Sequence, residues 1–573
     1  MGMACTREMD RVCAAMGELA EAPSEFEAVW DVPNGGVVWA LPALLANGLL
    51  HHTKDLFSLP KGYYSLIHVF LLLAYMSLAR IKSVERLRYV PAGEWGKLLG
   101  LDRIPEVRTL RDKIKVLSEA EKVREWSATL SREWMEADPD VSGVLYVDGH
   151  IRPYYGHQTK LPRRYVPRQR LCLRGLTDYW VNDQMGRPFF VVSTPLTGGL
   201  LKTLREDIVP RLLVEVPGQP SQAELDANPY LARFTLISDR EVYSPDFFRE
   251  MWALRIACQT YHKYPKEDWS EREFRESCLT ELYGNRVEMK LAERGVRLSN
   301  GFWMREIRKR GQGGEQVSVL SSDYVADSGQ VAVHMFSRWS QENFFKYMME
   351  HFDIDRLIGY QLESFHETAE VVNPAYRKLE GEIKSKAAKR GRRLAEFGKM
   401  SIHEGLDSKE IARYETKKAD LKEEIDAFDR EVTALKEQRK QTSKHVTLAD
   451  LPESERFGQL APARKQLMDT VKMIAYRAET AMAIALREEE NLARDDDARP
   501  LLREIFTTEA DLIPNEEMET LTVQLHHLTN HMSDRATRSL AATLNAYGTL
   551  YPGTNLRLVY KLVSDPDPPD QEF

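Results

Sequence analysis

Cysteine is scarce in this 573-residue chain: Cys5, Cys13, Cys172, Cys258 and Cys278 are scattered, and no two form a C-x-x-C pair. That spacing offers neither a disulfide framework nor a cysteine-based zinc site, and it fits a reducing intracellular compartment. Long apolar runs are also missing. The longest, Leu66 to Ala79, is interrupted by His68 and falls short of the ~20 residues that a membrane span needs. We read it as a buried helix and expect a cytoplasmic protein with no membrane partner. Positive charge is in deficit as well, with 79 Lys and Arg against 87 Asp and Glu and a formal net charge of -8. Binding nucleic acid means neutralising phosphates, so the overall balance speaks against such a partner unless basic residues cluster locally. A hydrophobic share of 43% with 29% charged residues describes a folded chain. Its length exceeds one ordinary core, so several domains are expected.

The expected organisation is α/β and multidomain. Residues 1–140 read as a helical N-terminal domain. Within it, residues 93–117 form a helix-turn-helix candidate: a short helix ends at Gly100, Pro105 closes a turn, and the next helix carries Arg108, Arg111, Lys113 and Lys115. An ordinary helical hairpin with solvated charges explains that pattern equally well. From Val144 the chain turns to short apolar strands, around 144–148, 170–174 and 187–193, with Met185-Gly186 as a turn signal. A helix over 200–216 and a strand at 234–239 follow. Three strands, a helix and a fourth strand is the order of an RNase H-like core, expected over 141–260 and resumed by a final helix in 336–370. The β-rich stretch 261–335 reads as an insertion between these two parts. Ile411, Tyr414, Lys418, Leu421, Ile425, Phe428, Val432 and Leu435 alternate spacings of three and four, so residues 371–445 are expected as an antiparallel coiled-coil hairpin. Residues 446–563 read as a helical and mixed α/β region, and 564–573, rich in Pro and Asp, as a disordered tail.

Two of the apolar strands, Val144-Leu-Tyr-Val-Asp148 and Phe234-Thr-Leu-Ile-Ser-Asp239, end in an acid. Adjacent strands of that kind would bring Asp148 and Asp239 to one sheet edge. A third acid, Glu342, lies in a helical stretch where Arg338, Glu342 and Lys346 share a face at spacings of four. Taken alone, that ladder reads best as ion pairs on a solvated helix. Cutting a phosphodiester needs acids from different elements to hold divalent ions about 4 Å apart, and magnesium takes one or two carboxylates and keeps waters.

Tyr146-Val-Asp148-Gly-His150, Ile237-Ser-Asp239-Arg240 and Arg338-Trp-x-x-Glu342-Asn-x-Phe-Lys346, in that order, resemble the DDE transposases of bacterial insertion sequences. Within these, the chain is most similar to cut-and-paste enzymes with a β-rich insertion before the glutamate, and the likeness extends from the helix-turn-helix candidate to Tyr551–Tyr560. It implies that Asp148, Asp239 and Glu342 are catalytic and hold Mg²⁺ or Mn²⁺, two ions in all. It also implies binding of double-stranded DNA at element ends and target by a homodimer or higher multimer associated with the bacterial nucleoid. The family's signature helix runs Tyr, two residues, Arg, three residues, Glu, six residues, Lys. Arg338 and Glu342 fit it, whereas Met335 and Met349 stand where the Tyr and Lys belong. Trp339 and Lys346 are the substitutes for gripping the DNA end.

Local basic clusters offset the acidic total. Lys160, Arg163, Arg164, Arg168, Arg170 and Arg174 follow Asp148 with no acid among them and could track a phosphate backbone. The acid-free run Lys384 to Arg393 reads better as a solvated helix face. His150 and His157 fit no zinc spacing, so His150 is expected to support the metal ligands from behind or to contact phosphate. Asp178 and Asp183 read as turn or hairpin residues. The alternative function is a domesticated, catalytically silent DNA-binding relative. A coiled-coil interaction protein would leave the strand-terminal acids without a purpose.

Overall fold

The computed structural model describes the chain except residues 1–4, 156–160, 167–170, 195–198, 281–285, 355–361, 364–368, 401–407, 454–455, 457–458, 461, 491–494 and 567–573. The apolar run becomes the helix Leu66–Leu78, started by a reciprocal cap between Ser65 and His68 and buried all round from His68 onward. Among the described residues, no helix is long and apolar enough to cross a membrane.

The helix-turn-helix candidate is occupied by the helices Ala92–Lys97 and Val107–Leu117. The second buries Val107, Leu110, Ile114 and Leu117 on one face. Of its cations, Arg108 and Lys115 are exposed, Arg111 pairs with Glu85, and Lys113 Nζ donates to the Tyr64 carbonyl at 2.9 Å.

The boundary expected near residue 140 does not set off a separate N-terminal body. Strand β1 (Val29–Val32) pairs antiparallel with Ala510–Asn515 near the other end of the chain. Thr520–Leu525 and, in parallel, Arg557–Leu562 complete that four-stranded sheet. One hydrophobic core runs from Ala22 to Leu562. Sequence periodicity misses β1 because a four-residue strand is too short to show alternation.

The main sheet has ten strands. β2 (Val144–Tyr154), β3 (Arg163–Val166), β4 (Leu171–Asn182) and β5 (Pro188–Thr194) are antiparallel, with β3 and β5 both on β4. A helical stretch, Gly199–Glu215, then crosses to β6 (Phe234–Ser238), which lies parallel to β2. The helix Pro245–Ala253 leads to β7 (Ile256–Tyr261), parallel to β6. This strand, which Ile256 opens, had no place among the strands expected from the sequence. The expected insertion forms β8 (Arg275–Thr280), β9 (Arg286–Arg297), β10 (Trp303–Arg310) and β11 (Gln316–Ser321). Because β11 pairs antiparallel with β7, these strands extend the same sheet and do not form a second one. The helix Ser328–Phe336 covers both parts through Val331, Ala332 and Met335, which pack on Tyr146, Ile237 and Ile307.

The helices Pro374–Lys399 and Ser408–Gln441 pack side by side. Their ion pairs, Lys386–Glu431 at 2.6 Å, Arg393–Glu424 at 2.6 Å and Lys417–Glu396 at 3.7 Å, fix an antiparallel register. Ile383, Leu421, Ile425 and Val432 are buried, and the strands Glu370–Val372 and His445–Thr447 pair beneath them. In the acid-free run, Lys386, Arg390 and Arg393 are therefore engaged across the hairpin. The helix Pro462–Glu490 packs against helices of the N-terminal region and against β5. Of the expected tail, residues 567–573 lie outside the described residues, and Asp565 pairs with Arg538 at 2.9 Å.

The joint between the chain ends is close at Gly36, whose N–H donates to the Thr508 carbonyl at 3.1 Å. A methyl group there would sit 1.9 Å from the Ile505 carbonyl oxygen. We expect Gly36→Ala to cost about 1–3 kcal/mol, the range for overpacking a filled core, read as a lower urea midpoint of the whole chain. An unchanged midpoint would refute the shared core.

Candidate active site

Parallel strands deliver side chains to the same end of a sheet, and β2 and β6 do so in matched register. Val147 lies opposite Ser238, so Asp148 and Asp239 follow at one level. Side chains alternate along a strand, which puts both acids on the face that carries Tyr146 and Ile237 and is covered by the helix Ser328–Phe336. Asp239 leaves β6 to start the single helical turn Arg240–Val242, and its carbonyl accepts from Thr260 Oγ1 at 3.1 Å.

Glu342 arrives on the helix Trp339–Tyr347. The preceding residue anchors that helix: Gln341 is fully buried, and its amide donates to the carbonyls of Tyr146 and Trp180 at 3.3 Å each and to Asn182 Oδ1 at 3.1 Å. Ser340 Oγ donates to the Gln184 carbonyl at 2.9 Å. The approach is close enough that Gly186 (φ +80°), in the turn between β4 and β5, could carry a side chain only 2.9 Å from the Ser340 carbonyl oxygen. Helix and hairpin together therefore set where Glu342 stands.

Arg338 ties the acids together. Its Nη2 donates to Glu342 Oε1 at 2.7 Å, and its Nη1 lies 3.6 Å from Asp148 Oδ2. Burial works against the guanidinium charge, yet the fields of Asp148, Asp239 and Glu342 outweigh it and raise the Arg338 pKa. Desolvation pushes Asp148 up to about 6, opposed by Arg338 and by the Gly149 N–H and reinforced by Asp239 and Glu241. The Gly149 N–H donates to Asp148 Oδ1 at 2.7 Å.

The sequence reading missed several residues here. Glu241, two positions past Asp239, is raised by burial and by the Asp239 charge. Its place in the strand-terminal turn was the available signal. Tyr261 ends β7 with the guanidinium carbons of Arg240 and Arg338 at 5.5 and 5.9 Å from its ring, and finding it required recognising β7. Gln341 had no signal, since a buried glutamine looks like any helix surface residue.

His150 lies on the same face as Asp148 and stacks on Phe345 of the Glu342 helix, with ring centroids 5.5 Å apart. Trp339 and Lys346 are exposed on that helix. Met335, in the place of the signature Tyr, is fully buried beneath the sheet. Arg163 is exposed on β3 directly opposite Arg174 of β4, which in turn pairs with Tyr154 of β2. The registers put this arginine pair on the Asp148 face, about 20 Å along β2 at 3.3 Å per residue. Lys160, Arg168 and Arg170 lie outside the described residues, as does the side chain of Arg164.

Asp183 is a turn residue as expected, accepting from the N–H groups of Met185 and Arg187 at 2.9 and 2.8 Å. Asp178 is not. It sits inside β4, buried, bonded to Arg152 and to Ser193 Oγ at 2.6 Å, with Lys465 at 3.9 Å. Alternation hid its burial, because the second half of β4 is buried on both faces and has no polar side to mark.

A further group of potential ligands, Asp31, Glu509 and His526, lies near the junction of the chain ends. His526 Nε2 is 3.1 Å from Asp511 Oδ1. This group is apart from the acids at the β2 and β6 edge.

Fold and site together define a mixed α/β protein with an acidic centre on the interior strands of a large sheet, where β6 ends beside β2. The chain belongs to a transposase family: the family profile described as "Transposase protein" matches residues 2–564. No curated protein matches it. Among solved structures it is similar to a piggyBac transposase synaptic complex with hairpin DNA, at 11% identity over 78% of this chain and 76% of that one, with a TM-score of 0.29. A superposition that loose transfers no residue roles.

We expect the Asp148 carboxyl of the metal-free protein to titrate near pH 6, read as the carboxyl infrared band absent from Asp148→Asn. Because the Arg338 charge favours the ionised form, Arg338→Ala moves that midpoint upward. A midpoint near 4, unmoved by the substitution, would contradict the described geometry.

Proposed function

We propose that this transposase is of the DDE type, with an RNase H-like core, and that it cuts transposon ends and joins them to target DNA. The observation that carries the reading is the matched parallel register of β2 and β6, which sets Asp148 and Asp239 level, with Glu342 held to the same centre through Arg338. The strand order β5-β4-β2-β6-β7, three antiparallel strands followed by two parallel ones, supports the RNase H-like reading. The long interval between Asp239 and Glu342, filled by β8 to β11, supports kinship with insertion-sequence enzymes that carry a β-rich insertion.

The donor set fits Mg²⁺ or Mn²⁺. It is made of carboxylate oxygens alone, and these already converge on one cation, the Arg338 guanidinium. Asp148, Asp239 and Glu342 would hold the ions, which when bound activate the attacking oxygen and stabilise the leaving one. The chain's own part is to keep those oxygens converged. Gln341 and Ser340 fix the Glu342 helix, and the stacking of His150 on Phe345 braces it against β2. Arg163 and Arg174 give the same face a positive stretch for a phosphate backbone. Lys160, Arg164, Arg168 and Arg170 belong to this stretch by sequence. Trp339 and Lys346, exposed on the Glu342 helix, would grip the DNA end, and Arg108 and Arg111 would contact flanking duplex. Cutting two ends and joining them to one target calls for a homodimer or higher multimer.

We expect Asp148→Ala, Asp239→Ala and Glu342→Ala each to lower cleavage of a labelled fragment carrying the element's ends by on the order of 10³-fold in Mg²⁺, with end binding retained. Several kcal/mol of transition-state stabilisation rest on such ions, and each 1.36 kcal/mol is tenfold. Cleavage that survives all three substitutions would reject the reading.

A further inference from the structure

We propose that Arg338 is the resident counter-cation of the acidic centre: it holds Asp148 and Glu342 converged while no metal is bound, and it yields them when DNA phosphate draws its guanidinium away. The inference rests on the reading of these acids as the metal site. It concerns when that site can load.

The guanidinium engages the carboxylates that would hold the metal. It bonds Glu342 at 2.7 Å and lies 3.6 Å from Asp148, and the Asp239 charge also acts on it. A divalent ion on the same oxygens and a guanidinium a few ångströms away repel each other, most strongly where water is scarce. The Arg338 side chain is only 13% exposed, so solvent screens that repulsion poorly. Metal and arginine therefore compete for the carboxylates.

The arginine is also incompletely satisfied where it is. Its Nε is buried and has no hydrogen-bond partner among the described residues, which costs free energy that a further acceptor would recover. A phosphate oxygen is such an acceptor, and guanidinium groups bind phosphate through two donors at once. The residue is placed to move between the two. It sits at the joint where the helix Ser328–Phe336 has ended and Trp339–Tyr347 begins. Its neighbour Trp339 is exposed, and Arg163 and Arg174 lie on the same face of the sheet. DNA phosphate would reach Arg338 from the side on which Trp339 is exposed. Metal affinity and DNA affinity then raise each other, as linkage requires, and an unloaded protein avoids holding cleavage-competent metal away from DNA.

The test is titration of full-length, DNA-free protein with Mn²⁺, followed by calorimetry and by the loss of the free-ion resonance signal. We expect Arg338→Ala to bind Mn²⁺ at least about fivefold more tightly than the native chain, the lower end of typical coupling between sites. Arg338→Gln, which keeps the length and hydrogen bonding without the charge, shifts affinity in the same direction and serves if the alanine variant does not fold. Adding Asp148→Asn to either variant abolishes the gain. Affinity that is unchanged or weaker in both arginine variants, with Asp148→Asn still removing Mn²⁺ binding, overturns the counter-cation role and leaves the metal site standing. Mn²⁺ binding indifferent to Asp148→Asn in every background overturns both.

Discussion

Everything at the centre of this protein follows from one strand pairing. β2 and β6 run parallel with Val147 opposite Ser238, and each continues into an aspartate on the same face. A parallel pair needs a crossover, supplied by Gly199–Glu215. It also places two anions side by side at an end where neither can use the other as a partner. Desolvation and that neighbouring charge raise Asp148, and only a nearby cation keeps the cluster tolerable. Arg338 provides it without leaving the chain. The acidic centre is thus a standing electrostatic cost built into the fold.

The rest of the molecule holds that edge in place from a distance. The Glu342 helix is pinned to β2 and β4 by Gln341 and to the β4–β5 turn by Ser340. Behind it, the helix Pro462–Glu490 carries buried charges that pair with partners far away in sequence. Arg80 meets Glu479 at 2.7 Å, Tyr347 of the Glu342 helix bonds the same carboxylate, and Lys465 reaches Asp178 of β4. Removing one member of such a buried pair leaves an uncompensated charge, so these contacts specify how the C-terminal region seats on the sheet. The chain ends meet as well, through β1 and the strands after residue 509. A region that looks like a detachable N-terminal domain is therefore part of the body that supports the site.

Much of this was legible in the sequence. The apolar runs ending in Asp148 and Asp239 gave the right strands, because a buried strand announces itself by composition. The turn at Met185-Gly186 and the helical hairpin were readable from local rules in the same way. β1, β7, the buried position of Asp178 and the extension of the main sheet by β8 to β11 were not. Each depends on a partner at least tens of residues away, and no local period records a partner.

The sequence by itself determined which residue types stand along which elements: an aspartate directly after β6 and one closing the apolar run of β2, although β2 itself continues to Tyr154, a helix with arginine and glutamate four apart, and a basic stretch after the first acid. Those are local facts, set by periodicity and by the turn chemistry between elements. Only the tertiary structure decided that the strands run parallel in a register that sets the aspartates level, that Gln341 turns the helix so that Glu342 comes to them, and that Arg338 lies among all three. The physical reason is range. Propensity and patterning act over a few residues, whereas the convergence of charges depends on packing between segments far apart in the chain, and its energy is felt only once water has been excluded from between them.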